Sequence, residues 1–279
     1  MSAVDDKPKN VFEISYADTL RFRRIVMDVM SAACDADAEY EGIGTLGEKQ
    51  MHAAIKRFVC PDESKHEIKL DNDTEDGEKK KGRRRFVADV LDGNTVYEIQ
   101  TGSLAPLVPK LDWIMANTDL NVTVIHPIAE VKWVNILGDD GRISKRYRSP
   151  RPDKLADFAG ELYYVRHLLD CPRFSLVILA TEAEQYKKNA ENKKRRRSKY
   201  EKYELIPVNL LRAHVFLGLE SYKYFVPDEL CGPFTVKQYS AASKIRGRDA
   251  YSIVHTLCDV GLLREVGKVG RAAAYEKNY

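Results

Sequence analysis

The sequence predicts an α/β fold, a mixed sheet flanked by helices, followed by a small C-terminal domain. Some segments, such as residues 17–35, carry apolar residues at roughly helical spacing, whereas others, such as residues 121–126, are short β-branched runs. The order of the segments is helix, three strands, helix and strand. A hairpin followed by a strand–helix–strand crossover gives a mixed sheet, and the crossover should be right-handed.

Two helices are predicted ahead of the sheet, over residues 17–35 and 46–59. The first has an apolar stripe at roughly helical spacing. Thr45 is suited to cap the second helix, and Glu48, three residues later, can act as its capping-box partner. Pro61 ends this helix because proline cannot continue the hydrogen-bond ladder.

The sheet is expected to contain short strands that alternate with helices. The predicted strands are residues 67–70, 85–91, 95–100, 121–126, 131–137, 142–147 and 174–180, and the predicted helices among them are residues 104–117 and 153–169. Residues 182–203 are highly charged and are expected to form a helix or a flexible arm.

A hairpin is predicted between the second and third strands, because Asp-Gly is a strong turn signal. If Asp92-Gly93 is a two-residue turn, Asp89 pairs with Val96, and Glu98 is the diagonal neighbour of Asp89 on the same face. Such neighbours are roughly 7–8 Å apart at the backbone, so two carboxylates converge. Hard cations such as magnesium prefer carboxylate oxygens and water, and they support phosphodiester hydrolysis.

This pattern, Asp89 followed by Glu98-x-Gln100 within a hairpin, resembles the PD-(D/E)XK nuclease superfamily, whose core is the restriction-endonuclease-like mixed sheet. In that superfamily an Asp and a (D/E)-x-K pair lie on adjacent strands, and a preceding helix often adds a Glu, a position that Glu48 matches. The resemblance implies that Asp89, Glu98 and Glu48 bind Mg²⁺ (or Mn²⁺) and that Gln100 positions water or phosphate.

One departure from the superfamily concerns positive charge, because Gln100 stands where the lysine is usual. Some restriction enzymes of the superfamily carry Gln there, but Gln supplies no charge. A nearby lysine is expected to substitute, and the candidates are Lys49, Lys56 and Lys110. His52, four residues after Glu48, and His126 are left open between a role at the site and an ordinary structural role.

The C-terminal segment predicts a second domain, residues 221–279, after a first domain of residues 1–220. Two short helices, a Leu-x-x-x-Gly-Leu-Leu passage from Leu257 to Leu263 and two short strands resemble a winged helix-turn-helix. In DNA-binding members, the second helix enters the major groove and the wing contacts the backbone. The residues that would contact DNA are Lys244, Arg246, Arg248, Tyr251, Ser252, Lys268 and Arg271.

Two dense basic runs, residues 79–85 and 193–197, are candidates for phosphate contact. The first leads into the strand that carries Asp89, and its candidate contacts are Lys80, Lys81, Arg83, Arg84 and Arg85. The near-neutral net charge of +3, from 45 basic and 42 acidic residues, therefore hides strong local segregation. A solvated loop is the alternative reading of both runs.

The five cysteines form no CxxC pair, which is typical of a reducing compartment, and no stretch approaches the roughly 20 apolar residues of a membrane span. We therefore expect an intracellular, cytoplasmic protein without a membrane partner.

The expected function is that of a metal-dependent DNA endonuclease whose winged helix engages DNA. A homodimer would suit double-strand cleavage by one site per chain. Two alternatives remain open from the sequence. One is a catalytically inactive nuclease-like DNA-binding regulator, and the other is a protein-interaction module in a DNA-processing or defence complex.

Overall fold

A computed structural model describes residues 11–36, 46–70, 86–189 and 200–279. The described helices are α1 (Tyr16–Ala36), α2 (Leu46–Val59), α3 (Val108–Asn117), α4 (Leu155–Phe158), α5 (Leu162–Val165), α6 (Gly218–Ser221), α7 (Val236–Ser243) and α8 (Gly247–Asp259). The described strands are β1 (Val11–Glu13), β2 (His66–Leu70), β3 (Phe86–Asp92), β4 (Thr95–Ile99), β5 (Asn121–Leu137), β6 (Ile143–Arg148), β7 (Phe174–Asn189), β8 (Tyr200–Leu217), β9 (Phe234–Thr235), β10 (Leu263–Val269) and β11 (Ala272–Lys277).

The main sheet has eight strands in the order β1-β8-β7-β5-β4-β3-β2, with β6 paired to β5. β4, β5 and β7 run parallel to one another, and the other pairs in this sheet are antiparallel. Helix α3 connects the parallel strands β4 and β5, as a crossover requires. The predicted α/β class, a mixed sheet flanked by helices, is confirmed. Among the described residues, none of the helices combines the length and hydropathy needed to cross a bilayer.

The two faces of the sheet have separate apolar cores. On one face, α1 and α2 contribute Phe22 and Ile55, which cluster with Ile125 of β5 and Leu179 of β7. On the other face, α3 packs against Val122 and Val124 of β5 and belongs to the larger cluster. Because successive residues of a strand point to opposite faces, the apolar run of β5 serves both layers.

The turn of the β3–β4 hairpin differs from the prediction. Asp92 pairs with Thr95, so the two-residue turn is Gly93-Asn94 and not Asp92-Gly93. Gly93 has a φ of +57°, a conformation that glycine adopts at little cost. The predicted partner of Asp89 was therefore wrong by two positions along β4. Continued by one residue, the observed register sets Glu98 instead of Val96 opposite Asp89, which brings the two carboxylates closer together than predicted.

Two further regions were predicted wrongly. A helix or a flexible arm was expected over residues 182–203, but residues 182–189 belong to β7 and residues 200–203 belong to β8. The predicted helix over residues 153–169 is a series of short α and 3₁₀ turns. β5 also continues without a break through Pro127, which pairs with Leu179 of β7. The missing N–H of Pro127 faces the other edge, where β4 has already ended.

The C-terminal elements follow the predicted order of two helices and a hairpin. Thr235 caps α7 through a capping box with Gln238, and Lys244, with a φ of +62°, ends this helix. α8 packs against residues 159–161 and α5, where a Cβ on Gly160 would lie 2.6 Å from the Asp249 Oδ1 atom. The core of this region is continuous with that of α3 and the sheet. The division at residue 220 stays a prediction.

We predict that Ile253→Ala, at a fully buried position in α8, lowers the free energy of unfolding by about 2–5 kcal/mol, because it leaves a cavity in the shared core. Urea unfolding followed by circular dichroism and by tryptophan fluorescence should show one coincident transition. Tyr251→Ala on the exposed face of the same helix is the matched control, with a change below about 0.5 kcal/mol. An early transition confined to residues 221–279 would contradict the shared core.

Candidate active site

β3 and β4 separate beyond the pair Val90–Tyr97, and two carboxylates occupy the fork. The Ile99 N–H donates to the Asp89 Oδ2 atom at 2.8 Å, and the Asp89 N–H donates to the Glu98 Oε1 atom at 3.4 Å. Each carboxylate therefore accepts an N–H from the neighbouring strand. These bonds hold Asp89 and Glu98 side by side at the end of β4.

The two helical layers each add one side chain to this fork. His52 of α2 contacts the Asp89 Oδ2 atom through Nε2 at 3.0 Å. Lys110 of α3 donates from Nζ to the Glu98 Oε2 atom at 2.5 Å. The result is a continuous chain of polar contacts, His52–Asp89–Glu98–Lys110. We call these four residues the fork cluster.

The two carboxyl groups differ in their proton affinity. Glu98 is 3% exposed, and burial raises its pKa to about 7, although Lys110 acts in the opposite direction. Burial also disfavours the charge of Asp89, but the hydrogen bond and charge of His52, the Ile99 N–H and Lys110 together lower its pKa. Neighbouring carboxyl groups whose pKa values are pushed apart are typical of acid–base sites.

The other predicted site residues lie in several places. Gln100 donates from Nε2 to the Ser103 carbonyl at 2.7 Å, so it holds the loop after β4 and does not bond the fork carboxylates. Glu48 lies in α2, and its side chain is outside the described part of the chain. Lys49 falls in the same gap, and Lys56 donates to Glu67.

Lys110 is thus the candidate lysine that the structure brings to the carboxylates. The sequence contains a signal for this position. Lys110 lies in the first turn of α3, the crossover helix that follows β4, so this turn is expected close to the end of β4. The contact of His52 with Asp89 has no comparable signal, because helix α2 and strand β3 are joined only by their packing.

The fork offers two carboxylates to a cation. Among the described side chains, no group of three or more His, Cys, Asp or Glu residues is arranged to hold a metal. Mg²⁺ is commonly bound by one or two carboxylates together with waters and substrate phosphates. Within the described part of the chain, both hydrogen bonds to the Asp89 carboxylate go to Oδ2, so Oδ1 is the oxygen that a cation would contact. Asp89 and Glu98 therefore fit Mg²⁺ or Mn²⁺.

A pocket of about 250 Å³ lies beside the fork, where β5 changes its neighbour from β4 to β6. It is lined by the loop 101–103, by residues 126–128 of β5 and by residues 153–161. His126 belongs to this wall, and its ring contacts the Phe158 ring in a tilted arrangement with centroids 4.6 Å apart. Burial lowers the pKa of His126 to about 4, so the ring is neutral near pH 7.

The predicted DNA contacts of the C-terminal region lie on the surface. Arg248, Tyr251, Ser252 and His255 are three or four residues apart, so they share a face of α8, and Ser252 is half-buried while the others are exposed. Also exposed are Lys244, Arg246, Lys268 and Arg271. The contacts predicted for Lys80, Lys81, Arg83, Arg84 and Arg85, and the run 193–197, fall outside the described residues.

The raised pKa of Glu98 predicts a pH-dependent stability. Folded Glu98 holds its proton up to about pH 7, whereas an unfolded Glu releases it near pH 4.5, so raising the pH through this window favours unfolding. Glu98→Gln lacks this effect. Between pH 4 and pH 8, the free energy of unfolding of Glu98→Gln should rise relative to that of the wild type by roughly 3 kcal/mol.

Urea titrations at each pH measure this difference. Glu265→Gln, at an exposed position of β10, is the control and should show no such change. A stability difference that is constant with pH would show that Glu98 titrates like an ordinary glutamate.

Comparison with known proteins shows that the fork cluster lies within a region matched by a family model. A family model described as "Domain of unknown function (DUF8091)" matches residues 49–217. An "Uncharacterized protein" from Treponema pallidum (strain Nichols) is 27% identical over 171 residues, which cover 61% of this chain and 61% of that relative, less than two thirds of its length. No solved structure matches the chain. Because the family model spans more than half of the sequence, the chain belongs to the DUF8091 family.

Proposed function

We propose that this protein is a metal-dependent DNA endonuclease of the PD-(D/E)XK type. The observation that carries the proposal is the fork cluster, in which Asp89 and Glu98 converge at the end of β4 with Lys110 at 2.5 Å from Glu98. Two carboxylates and one ammonium beside the carboxyl end of β4, which runs parallel to β5, are suited to a cation and a phosphate group.

The roles of the residues follow from their positions. Asp89 and Glu98 would hold Mg²⁺ or Mn²⁺, with Glu48 as a further ligand or a contact to metal-bound water. The cation would supply charge stabilisation at the phosphate and a lower pKa for the attacking water. Gln100 holds the loop 101–103 beside the pocket, where it can position the substrate.

Lys110 would take the role of the lysine that is missing at position 100. In the present arrangement its ammonium group neutralises Glu98. With Asp89 and Glu98 holding a cation, the Lys110 ammonium would be available to the phosphate and would stabilise the charge that develops on its oxygens. Its side chain is 14% exposed, so this charge acts in a partly water-excluded site.

DNA engagement would involve the C-terminal region as a winged helix. The support is the order α7, α8, β10 and β11, together with the exposed face of α8. Arg246, Arg248, Tyr251 and Ser252 would contact one groove, and the turn between β10 and β11 would contact the backbone through Lys268 and Arg271. Because each chain has one site, cleavage of both DNA strands would use the two sites of a homodimer.

One observation favours a second candidate, a DNA-binding regulator without catalysis. Lys110 already bonds the Glu98 carboxylate, and Gln100 stands where the PD-(D/E)XK pattern usually has a lysine. If the ion pair between Lys110 and Glu98 never opens, the fork is a structural feature. A protein-interaction role of the C-terminal region is a third reading, and the experiments below separate the three.

We predict that the wild type nicks or linearises supercoiled plasmid DNA in Mg²⁺ or Mn²⁺ and not in EDTA. Asp89→Asn and Glu98→Gln should each lower the rate at least about 100-fold, because several kcal/mol of metal stabilisation is lost. Asp112→Asn is a matched control, since Asp112 also contacts a histidine, His167 at 2.7 Å, but on the exposed side of α3.

Cleavage that persists in both fork variants would reject the catalytic assignment. Binding of duplex DNA without cleavage in either metal would identify the regulator. Absence of both activities, with a C-terminal region that captures a protein partner, would support the interaction module.

We predict that Lys110→Met lowers cleavage about 100-fold, the usual effect of removing one transition-state charge donor. Lys56→Met should leave the rate unchanged, because the Lys56 side chain is paired with Glu67. In the double variant Lys110→Met with Gln100→Lys, part of the activity should return, since a lysine then stands at the usual position. Equal loss in the single and double variants would assign Lys110 a structural role.

A further inference from the structure

β6 and the connector that follows it carry a dense basic segment that has no place in the proposed catalytic site. Between Arg142 and Arg151 there are five basic residues and no acidic ones. Apolar and small residues separate most of these basic side chains, so they do not form an uninterrupted basic run. The basic residues are Arg142, Lys145, Arg146, Arg148 and Arg151.

The sheet places this segment in line with the fork cluster. β7 occupies one edge of β5 from Val122 to Ile136. β4 and β6 must therefore share the other edge, where β4 pairs up to Ile125 and β6 pairs from Trp133 onward. The interval of eight residues corresponds to about 26 Å along the strand. The pocket beside the fork lies within this interval.

The positive charges of the segment are largely uncompensated. Arg146 pairs with Glu184 at 2.7 Å and lies over the Trp133 ring. Lys145 lies over the Tyr147 ring at 5.5 Å, a contact that leaves its charge in place. Within the described part of the chain, the remaining four basic residues make no ion pair, and all of them are exposed. They are Arg142, Lys145, Arg148 and Arg151.

β6 is also a free sheet edge, because β5 is its partner strand in the described sheet. Side chains on both faces of such a strand can reach around a rod-like partner that lies along the edge. A nucleic-acid backbone is a partner of this kind, with one negative charge per about 1.7 Å of duplex axis. The interval of about 26 Å corresponds to about eight base pairs at 3.4 Å each.

We propose that β6 and its connector bind the phosphate backbone of duplex DNA about eight base pairs from the bond at the fork cluster. This inference rests on the proposed function, because a duplex must be bound at the fork cluster in order to extend along the sheet edge to β6. The four exposed cations would each replace counterions on a phosphate, and Arg146 would keep the strand in position through Glu184. The binding is therefore independent of DNA sequence and depends strongly on salt.

A different explanation for the same charges is protection of the edge. Native sheets often carry lysines on exposed edge strands, which prevents pairing with other chains. The two explanations predict different responses to charge reversal. An edge that carries glutamate is still protected, but it repels phosphate.

The test is the salt dependence of binding to a fluorescein-labelled 24-base-pair duplex, measured by anisotropy from 50 to 300 mM NaCl in EDTA, so that no cleavage occurs. Replacing Arg142, Lys145, Arg148 and Arg151 together by Gln should reduce the slope of log K against log salt by about four, since each phosphate contact contributes about 0.9. Arg148→Gln alone should reduce it by about one.

Arg24→Gln, an exposed position on α1, is the matched control and should leave the slope unchanged. Arg148→Glu should weaken binding further while the protein stays monodisperse. Equal slopes for the wild type and for the variant with four Gln substitutions would overturn the inference. Wild-type binding to this duplex that does not depend on salt would also overturn it. Failure of the proposed catalysis has a different signature, namely no cleavage in Mg²⁺ while the difference in slopes persists.

Discussion

The candidate site depends on hydrogen bonds between β3 and β4 in which a backbone N–H of one strand donates to a side-chain carboxylate of the other. Where a regular ladder would continue, Asp89 accepts the Ile99 N–H and Glu98 accepts the Asp89 N–H. Backbone donors are obligatory partners in a protein interior, so these bonds tie both side chains to the sheet. The helical layers then complete the site, with His52 from one face and Lys110 from the other. A rigid sheet thereby holds charged groups that flexible loops would position less well.

The shared edge of β5 is the second organising feature. Because β7 follows one edge along most of its length, the other edge is divided between β4 and β6. Pro127 lies in the interval, where no N–H is required, and Asp153 satisfies both the N–H and the carbonyl of Ala129. Ligands of open α/β sheets bind where strand neighbours change at the carboxyl ends of parallel strands. The pocket and the fork cluster both lie at this position.

Several parts of this arrangement could be predicted from local signals. The α/β class followed from the order of periodic segments, and the neighbouring positions of Asp89 and Glu98 on adjacent strands followed from the hairpin. The partner of Asp89 was wrong, because Asp-Gly-Asn offers two adjacent turn positions and only the packing of the strands selects between them. The charged stretch after residue 181 was also misjudged. Its side chains serve a long hairpin, with Ala183 buried in β7, and this pairing has no local signal.

The sequence by itself determined most of the elements, the neighbouring carboxylates of the hairpin and the basic excess of the C-terminal region, because these depend on residue type and on spacing along the chain. The tertiary structure decided that Lys110 meets Glu98, that His52 contacts Asp89, that Gln100 bonds the loop at Ser103 and that β6 continues the line of β4. The reason is physical. Contacts between distant segments depend on how the helices pack against the sheet, and this packing is determined by the whole core.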